Sequence, residues 1–169
     1  MRRFYTAESV TEGHPDKLCD QIADAVLDEC LKEDSESRAA CEVLATRGHL
    51  VVAGEITSKH EPYVPEIVKK ILEDTGYQAE DIHIDVQIHK QSPDIARAVD
   101  HPQEKGKGMS KESEAGENGA GDQGVMIGYA CNETAQLMPM PAVLAHRIVR
   151  ELSACRRSGY IKGILPDGK

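Results

Sequence analysis

From Pro15 to about Lys32, apolar residues return every three or four positions, at Leu18 or Cys19, Ile22, Val26 and Cys30 or Leu31. That spacing is one face of a helix. Pro15 suits the first helical position, where no amide donor is needed, and Asp16 complements the positive end of the helix dipole. Residues 40–57, ACEVLATRGHLVVAGEIT, switch to alternation around Arg47-Gly48-His49, with Val43, Val51 and Val52 flanking, and predict a β-hairpin. A second helix is predicted over 63–75, with Val64, Ile67, Val68, Ile71 and Leu72 inside and Gly76 as its stop. IHIDVQIHK, residues 82–90, alternates throughout, with Ile82, Ile84, Val86 and Ile88 on one face of a strand. After Gln91 the pattern lapses for about thirty residues of charge and glycine, a length found in disordered segments or functional lids. VMIGYAC, residues 125–131, predicts another strand. A last helix is predicted from about Pro141 to Arg157, with Val143, Leu144, Ile148 and Leu152 inside. The order α-β-β-α-β, loop, β-α predicts an α+β fold.

Composition narrows the classes of function. A chain of 169 residues, 40% hydrophobic, can bury one core, one domain and part of another. Twenty basic residues against 29 acidic ones, a formal net charge of -9, argue against a general nucleic-acid or anionic-membrane surface. Any polyanion must meet a local exception. No apolar run approaches the roughly 20 residues of a membrane span. Met1-Arg2-Arg3-Phe4 leads into polar sequence rather than a signal-peptide apolar region, so a soluble cytoplasmic protein is expected. Cys19, Cys30, Cys41, Cys131 and Cys155 form no C-x-x-C pair, fall mostly at apolar positions, and are expected to be buried thiols in a reducing compartment.

The densest candidate chemistry is ESVTEGHPDK, residues 8–17, at the mouth of the first helix. His14 could simply cap that helix, and Lys17 could be a solvated first-turn residue. Yet a cation there opposes the helix dipole unless an anion sits beside it. His14, Lys17 and the free backbone amides would suit a phosphate chain, with Asp16 holding the accompanying Mg2+. Glu42 and Glu55 fall in hairpin strands, where carboxylates are depleted and a solvent-facing position is the plain alternative. Asp122 lies among glycines, in a turn or where backbone approaches a ligand. His83 and His89 share a strand face but stand six residues apart, too far to bind one metal.

Two motifs fail on context. GAGDQG, Gly119–Gly124, matches the dinucleotide fingerprint in letters, but a polar loop enters it and a strand leaves it, the reverse of what the fingerprint needs. GILPDGK, Gly163–Lys169, matches a phosphate-binding loop but lacks the following Ser or Thr.

Five blocks, ESVTEGHPDK, ACEVLATRGHLVVAGEIT, KQSPDIA, GAGDQGVMIGYACNET and LPDGK, resemble the S-adenosylmethionine synthetase (methionine adenosyltransferase) family in order and spacing. The likeness covers nearly the whole chain and is weakest in residues 58–90 and 101–117. It implies the first of three similar two-layer α/β domains, with a mixed or antiparallel sheet and helices on one face, plus the start of a second domain. The expected organisation is an N-terminal domain at 1–92, a gating loop at 93–121 and the beginning of a central domain at 122–169. The implied reaction joins the sulfur of L-methionine to the 5′ carbon of ATP and releases triphosphate, which is hydrolysed to diphosphate and phosphate. Expelling so charged a group requires metal ions and cations held in place beforehand.

By the same resemblance, His14 lies against the triphosphate near the breaking bond, Asp16 binds Mg2+, Lys17 supports the phosphates and Asp122 is an acidic group of the metal and substrate site. Glu42 becomes a K+ ligand, and Glu55 and Gln91 contact methionine. Asp167, Gly168 and Lys169 border ATP. Two Mg2+ per site and K+ are the implied cofactors. The implied assembly is a homodimer or homotetramer with active sites between subunits, paired through flat apolar sheet faces, so Ile82, Ile84, Val86 and Ile88 could serve the core or that interface.

The chain also departs from the family. Leu165 stands where arginine is common, the insertion EKGKGMSKESEAGEN lengthens the gating loop, and the later glycine-rich triphosphate segment is absent. The resemblance therefore implies a truncated chain that does not catalyse the full reaction alone. The alternative is a non-catalytic fragment that assembles with itself or a full-length partner.

Overall fold

A computed structural model describes residues 4–94 and 125–169. Residues 4–89 and 129–169 form one unit, and 90–94 and 125–128 belong to another. In the larger unit the first helix, α1, spans Pro15–Glu33 and buries Leu18, Ile22, Val26 and Cys30. A constant step of four selects Leu18 and Cys30 over Cys19 and Leu31, because it follows the inclined ridge along which helices pack. Beyond α1, the buried Asp34 carboxylate accepts N–H bonds from Lys59 (3.0 Å) and Glu36 (3.3 Å), tying the helix end to the chain after the hairpin. The Lys59 amide is the main reason this carboxyl lies below its ordinary value.

Strands β1 (Arg38–Thr46) and β2 (His49–Thr57) pair antiparallel, with Thr46 opposite His49, so the turn is Arg47-Gly48 alone. His49 opens β2 rather than closing the turn. Helix α2, Val64–Thr75, buries Val64, Val68 and Leu72 and ends at Gly76, whose φ of +100° only glycine adopts without strain. A 3-10 turn at Ala79–Asp81 leads into β3, His83–His89, which runs parallel to β2. The mixed sheet has the order β1-β2-β3. The fold is α+β, as the pattern of the chain predicts.

Register sorts the two sheet faces. Leu50, Val52 and Ile56 of β2 pack with α1 and α2, and Ile84, Val86 and Ile88 of β3 share that core face, as does Ile82 just ahead of the strand. The β3 apolar face therefore serves the core, not an interface. The opposite face carries Ala40, Glu42 and Leu44 beside Val51, Ala53 and Glu55, then Asp85, Gln87 and His89.

Two expectations at the C-terminal end are corrected. Residues 125–131 form no ladder among the described residues, and Val125, Met126 and Ile127 are exposed. β-propensity needs a neighbouring strand to act on, and none is offered there among the described residues. Helix α3, Met140–Arg157, forms where predicted, but Leu144 and Ile148 lie outward and Val149 is its buried residue. The contact face turned toward the rest of this unit instead includes Ala142, Val149, Ser153 and Arg156. The five thiols are free, yet only Cys30 is fully buried; the other four are half-buried. Among the described residues no helix is long and apolar enough to cross a membrane.

Candidate functional site

The mouth of α1 is organised by His14, the helix N-cap, whose Nδ1 accepts the Asp16 N–H at 3.2 Å. An imidazole nitrogen that accepts carries no proton, so the neutral ring keeps its proton on Nε2, free to donate. The Asp16 carboxylate 3.7 Å from Nδ1 is then a neighbour rather than an ion-pair partner. Gln21 Nε2 donates to the carbonyls of Glu12 (2.8 Å) and Lys17 (2.9 Å), fastening the approach to the first turn. The Asp16 and Lys17 side chains are exposed, and the Lys17 ammonium has no partner among the described residues.

A strap from the far end of the chain lies against this mouth. Buried Thr11 donates its N–H to Gly168 O (2.9 Å) and its hydroxyl to Pro166 O (2.6 Å). Gly13 permits the approach, since a Cβ there would collide with the Pro166 ring. Lys169 Nζ lies 3.1 Å from Glu8 Oε1. Tyr77 donates its hydroxyl to Gly13 O at 2.6 Å; burial, with the Asp167 charge adding to it, pushes the phenol up. A cavity of about 780 Å³ opens here between Gly13, Pro15, Tyr77, Asp167 and the hairpin turn at Arg47-Gly48.

Glu12 anchors the same segment to α3. Its carboxylate accepts from Ser153 Oγ, Arg156 Nη2 (2.8 Å) and Arg157 Nε (3.0 Å), and Arg156 also reaches Thr75 O at 2.9 Å. Burial alone would raise the Glu12 carboxyl, but these donors outweigh it and hold the pKa down at about 2. Sequence reasoning does not find Glu12, Thr11 or Tyr77: each lies in irregular chain, and their partners are 64 to 157 residues away. Only the crowding of acidic, small and hydroxyl residues before Pro15 hints at Thr11 and Glu12.

His14, Asp16, Lys17, Asp167, Gly168 and Lys169 are thus gathered at one end of α1. Glu42 and Glu55 are not with them; they sit as diagonal neighbours on the open sheet face, with His89 opposite Glu55. Gln91 follows β3 in the other unit, its side-chain oxygen buried without a partner among the described residues. Asp122 and residues 95–121 of the expected gating loop lie outside the described residues.

No cluster of three or more His, Cys, Asp or Glu side chains suited to a metal occurs among the described residues. Asp16 alone nonetheless fits Mg2+, which is commonly bound by one or two carboxylates together with substrate phosphates. Glu42 offers one exposed carboxylate for K+ and no assembled ligand shell among the described residues.

The family model described as S-adenosylmethionine synthetase, N-terminal domain, matches residues 2–98, and the one described as its central domain matches 117–169. The chain belongs to the S-adenosylmethionine synthetase family. Relatives named S-adenosylmethionine synthase show the same likeness. That of Roseiflexus castenholzii is 50% identical over 99% of this chain and 44% of its own length. That of Thermosynechococcus vestitus is 46% identical over 100% of this chain and 42% of its own, and that of Salinispora tropica 48% over 99% and 44%. The chain thus spans less than half the length of these synthases. The segments that meet at the mouth of α1 come from both matched domains of the synthetase family, residues 8–17 from the first and 166–169 from the second.

Proposed function

We propose that the chain forms one wall of a site that makes S-adenosylmethionine from ATP and L-methionine, as a transferase acting in the cytoplasm. The observation that supports this most is the meeting of ESVTEGHPDK with PDGK, joined through Thr11 across 155 and 157 residues of sequence. Two segments that each carry a lysine converge at the N-terminal turn of α1, whose dipole favours an anion.

In this reading the methionine sulfur forms a bond to the ribose 5′ carbon while the carbon–oxygen bond to triphosphate breaks. The leaving oxygen keeps the electron pair, and the sulfur becomes a sulfonium. The sulfur has no proton to lose, so no general base is needed for this step. His14 Nε2–H donates toward the leaving oxygens, and Lys17 and Lys169 hold phosphate. Asp16 holds Mg2+, which when bound spreads the triphosphate charge. Asp167 and Gly168 border ATP, and Asp122 adds an acidic group near metal and substrate. Glu55 and Gln91 orient methionine, and Glu42 holds K+. Residues 93–121 act as a gate between the domains at 1–92 and 122–169. A second copy docks on the open sheet face through Leu44, Val51 and Ala53, giving a homodimer or a tetramer of dimers that completes the site.

Calorimetry tests the reading. ATP or triphosphate should bind more tightly with Mg2+ present, and His14→Ala or Asp16→Asn should remove that gain. Absence of Mg2+-dependent polyphosphate binding, even with the remaining domains of a relative supplied, removes the proposal. One observation favours a second reading, a non-catalytic chain that assembles with itself or a full-length partner: Leu44 is exposed on the open sheet face. A gene product of 18.5 kDa by intact mass supports it, and a reading frame continuing past Lys169 removes it.

A further inference from the structure

A second cavity, of about 800 Å³, lies between residues 9–12 with the first turns of α1 on one side and α3 on the other. None of His14, Asp16, Asp167, Gly168 or Lys169 lines it. Its charges are unbalanced. Lys17, Arg147, Arg150 and Arg157 face Glu12 as the one lining carboxylate among the described residues, and Glu12 is already saturated by Ser153, Arg156 and Arg157. Lys17, Arg147 and Arg150 make no ion pair among the described residues. Glu151, one turn beyond Arg147, makes no pair with it, and Glu133 is occupied by the Met140 N–H at 3.0 Å. In a chain of net charge -9, this is the local exception that an anion requires.

His146 completes the arrangement. Its Nδ1 is engaged by Ser9 Oγ at 2.8 Å, which fixes the ring and leaves Nε2 for another partner. Arg147 and Arg150 stand three residues apart, so both guanidinium forks emerge on neighbouring parts of one helix surface. Planar forks with several donors match tetrahedral oxyanions in geometry as well as charge. Behind them the cavity wall is apolar, with Val10, Val143 and Val149.

We infer that this cavity is a binding site for a phosphate-bearing small molecule, held by Arg147, Arg150 and His146, and separate from the polyphosphate site at the mouth of α1. The phosphate meets the guanidinium forks, and any organic part lies over the valine wall. The two sites share Lys17 alone, so occupancy of one affects the other chiefly through that ammonium.

The test uses the 169-residue chain in EDTA, where Mg2+-dependent binding at α1 is suppressed. Inorganic phosphate and phenyl phosphate are titrated in separate arms, followed by calorimetry and by the His146 ring resonances. Binding should fall about tenfold or more in the Arg147→Gln/Arg150→Gln double variant, both residues being exposed, and persist in Asp16→Asn. Tighter phenyl phosphate identifies an organic phosphate as the ligand, and equal affinities identify the free inorganic ion. Absence of binding, or binding lost in Asp16→Asn but not in the double variant with unchanged circular dichroism, overturns the inference. Neither result touches the Mg2+-dependent test of the synthase reading.

Discussion

Glu12 shows how one residue gives an irregular segment a fixed place. Its folded pKa of about 2 lies below the ordinary 4.5, so its contribution to stability is fully present above about pH 4.5 and is lost as pH falls toward 2. Glu12→Gln should cost about 2 kcal/mol near neutral pH, between the surface and buried ranges for broken ion pairs. It should also flatten the acid limb of a denaturation profile; an unchanged limb would mean the arginines are held by something else. Gly13→Ala tests the strap. A methyl group driven against Pro166 should release residues 166–169 while leaving the hairpin intact, seen as faster amide exchange at Thr11 with unchanged exchange in β2. Of the residues singled out by sequence, the place of His14 at the helix mouth was legible because capping and anion binding both follow from its position before Pro15. Glu12 was not legible, since nothing local reveals that two arginines wait more than 140 residues away.

At the scale of elements, periodicity reports contacts that a segment makes with its own neighbourhood. The α1 stripe and the β3 alternation were legible because both faces meet one core. The α3 stripe misled, because Leu144 and Ile148 are apolar and exposed, while the contact face is built from Ala142, Ser153 and Arg156. For the same reason 125–131 has strand composition and no ladder among the described residues. Core substitutions should follow burial. Ile22→Ala is expected to cost about 3 kcal/mol and Ile148→Ala under about 0.5 kcal/mol, read from urea midpoints at constant slope. Tyr77→Phe removes the bond to Gly13 O and should cost about 1 kcal/mol.

At the scale of the larger unit, the described residues proposed for the reaction fall on two surfaces, the mouth of α1 and the open sheet face. Among the described residues of this unit, nothing brings the two together. Leu44, 61% exposed on the edge strand β1 of that face, is the sensitive position for self-association. Leu44→Lys should shift sedimentation toward monomer at unchanged secondary structure; no shift would move the proposed interface elsewhere.

The Thr11 tie to Gly168 also has a kinetic meaning. It closes one of the longest separations in the chain, 157 residues, and loop closure on that scale is made after local contacts have formed. The α1, hairpin and β3 core can therefore consolidate while the mouth of α1 is still open, and that mouth is completed late. In refolding, core burial should precede protection of the Thr11 amide, so a nascent chain passes through a folded stage in which residues 166–169 are not yet docked.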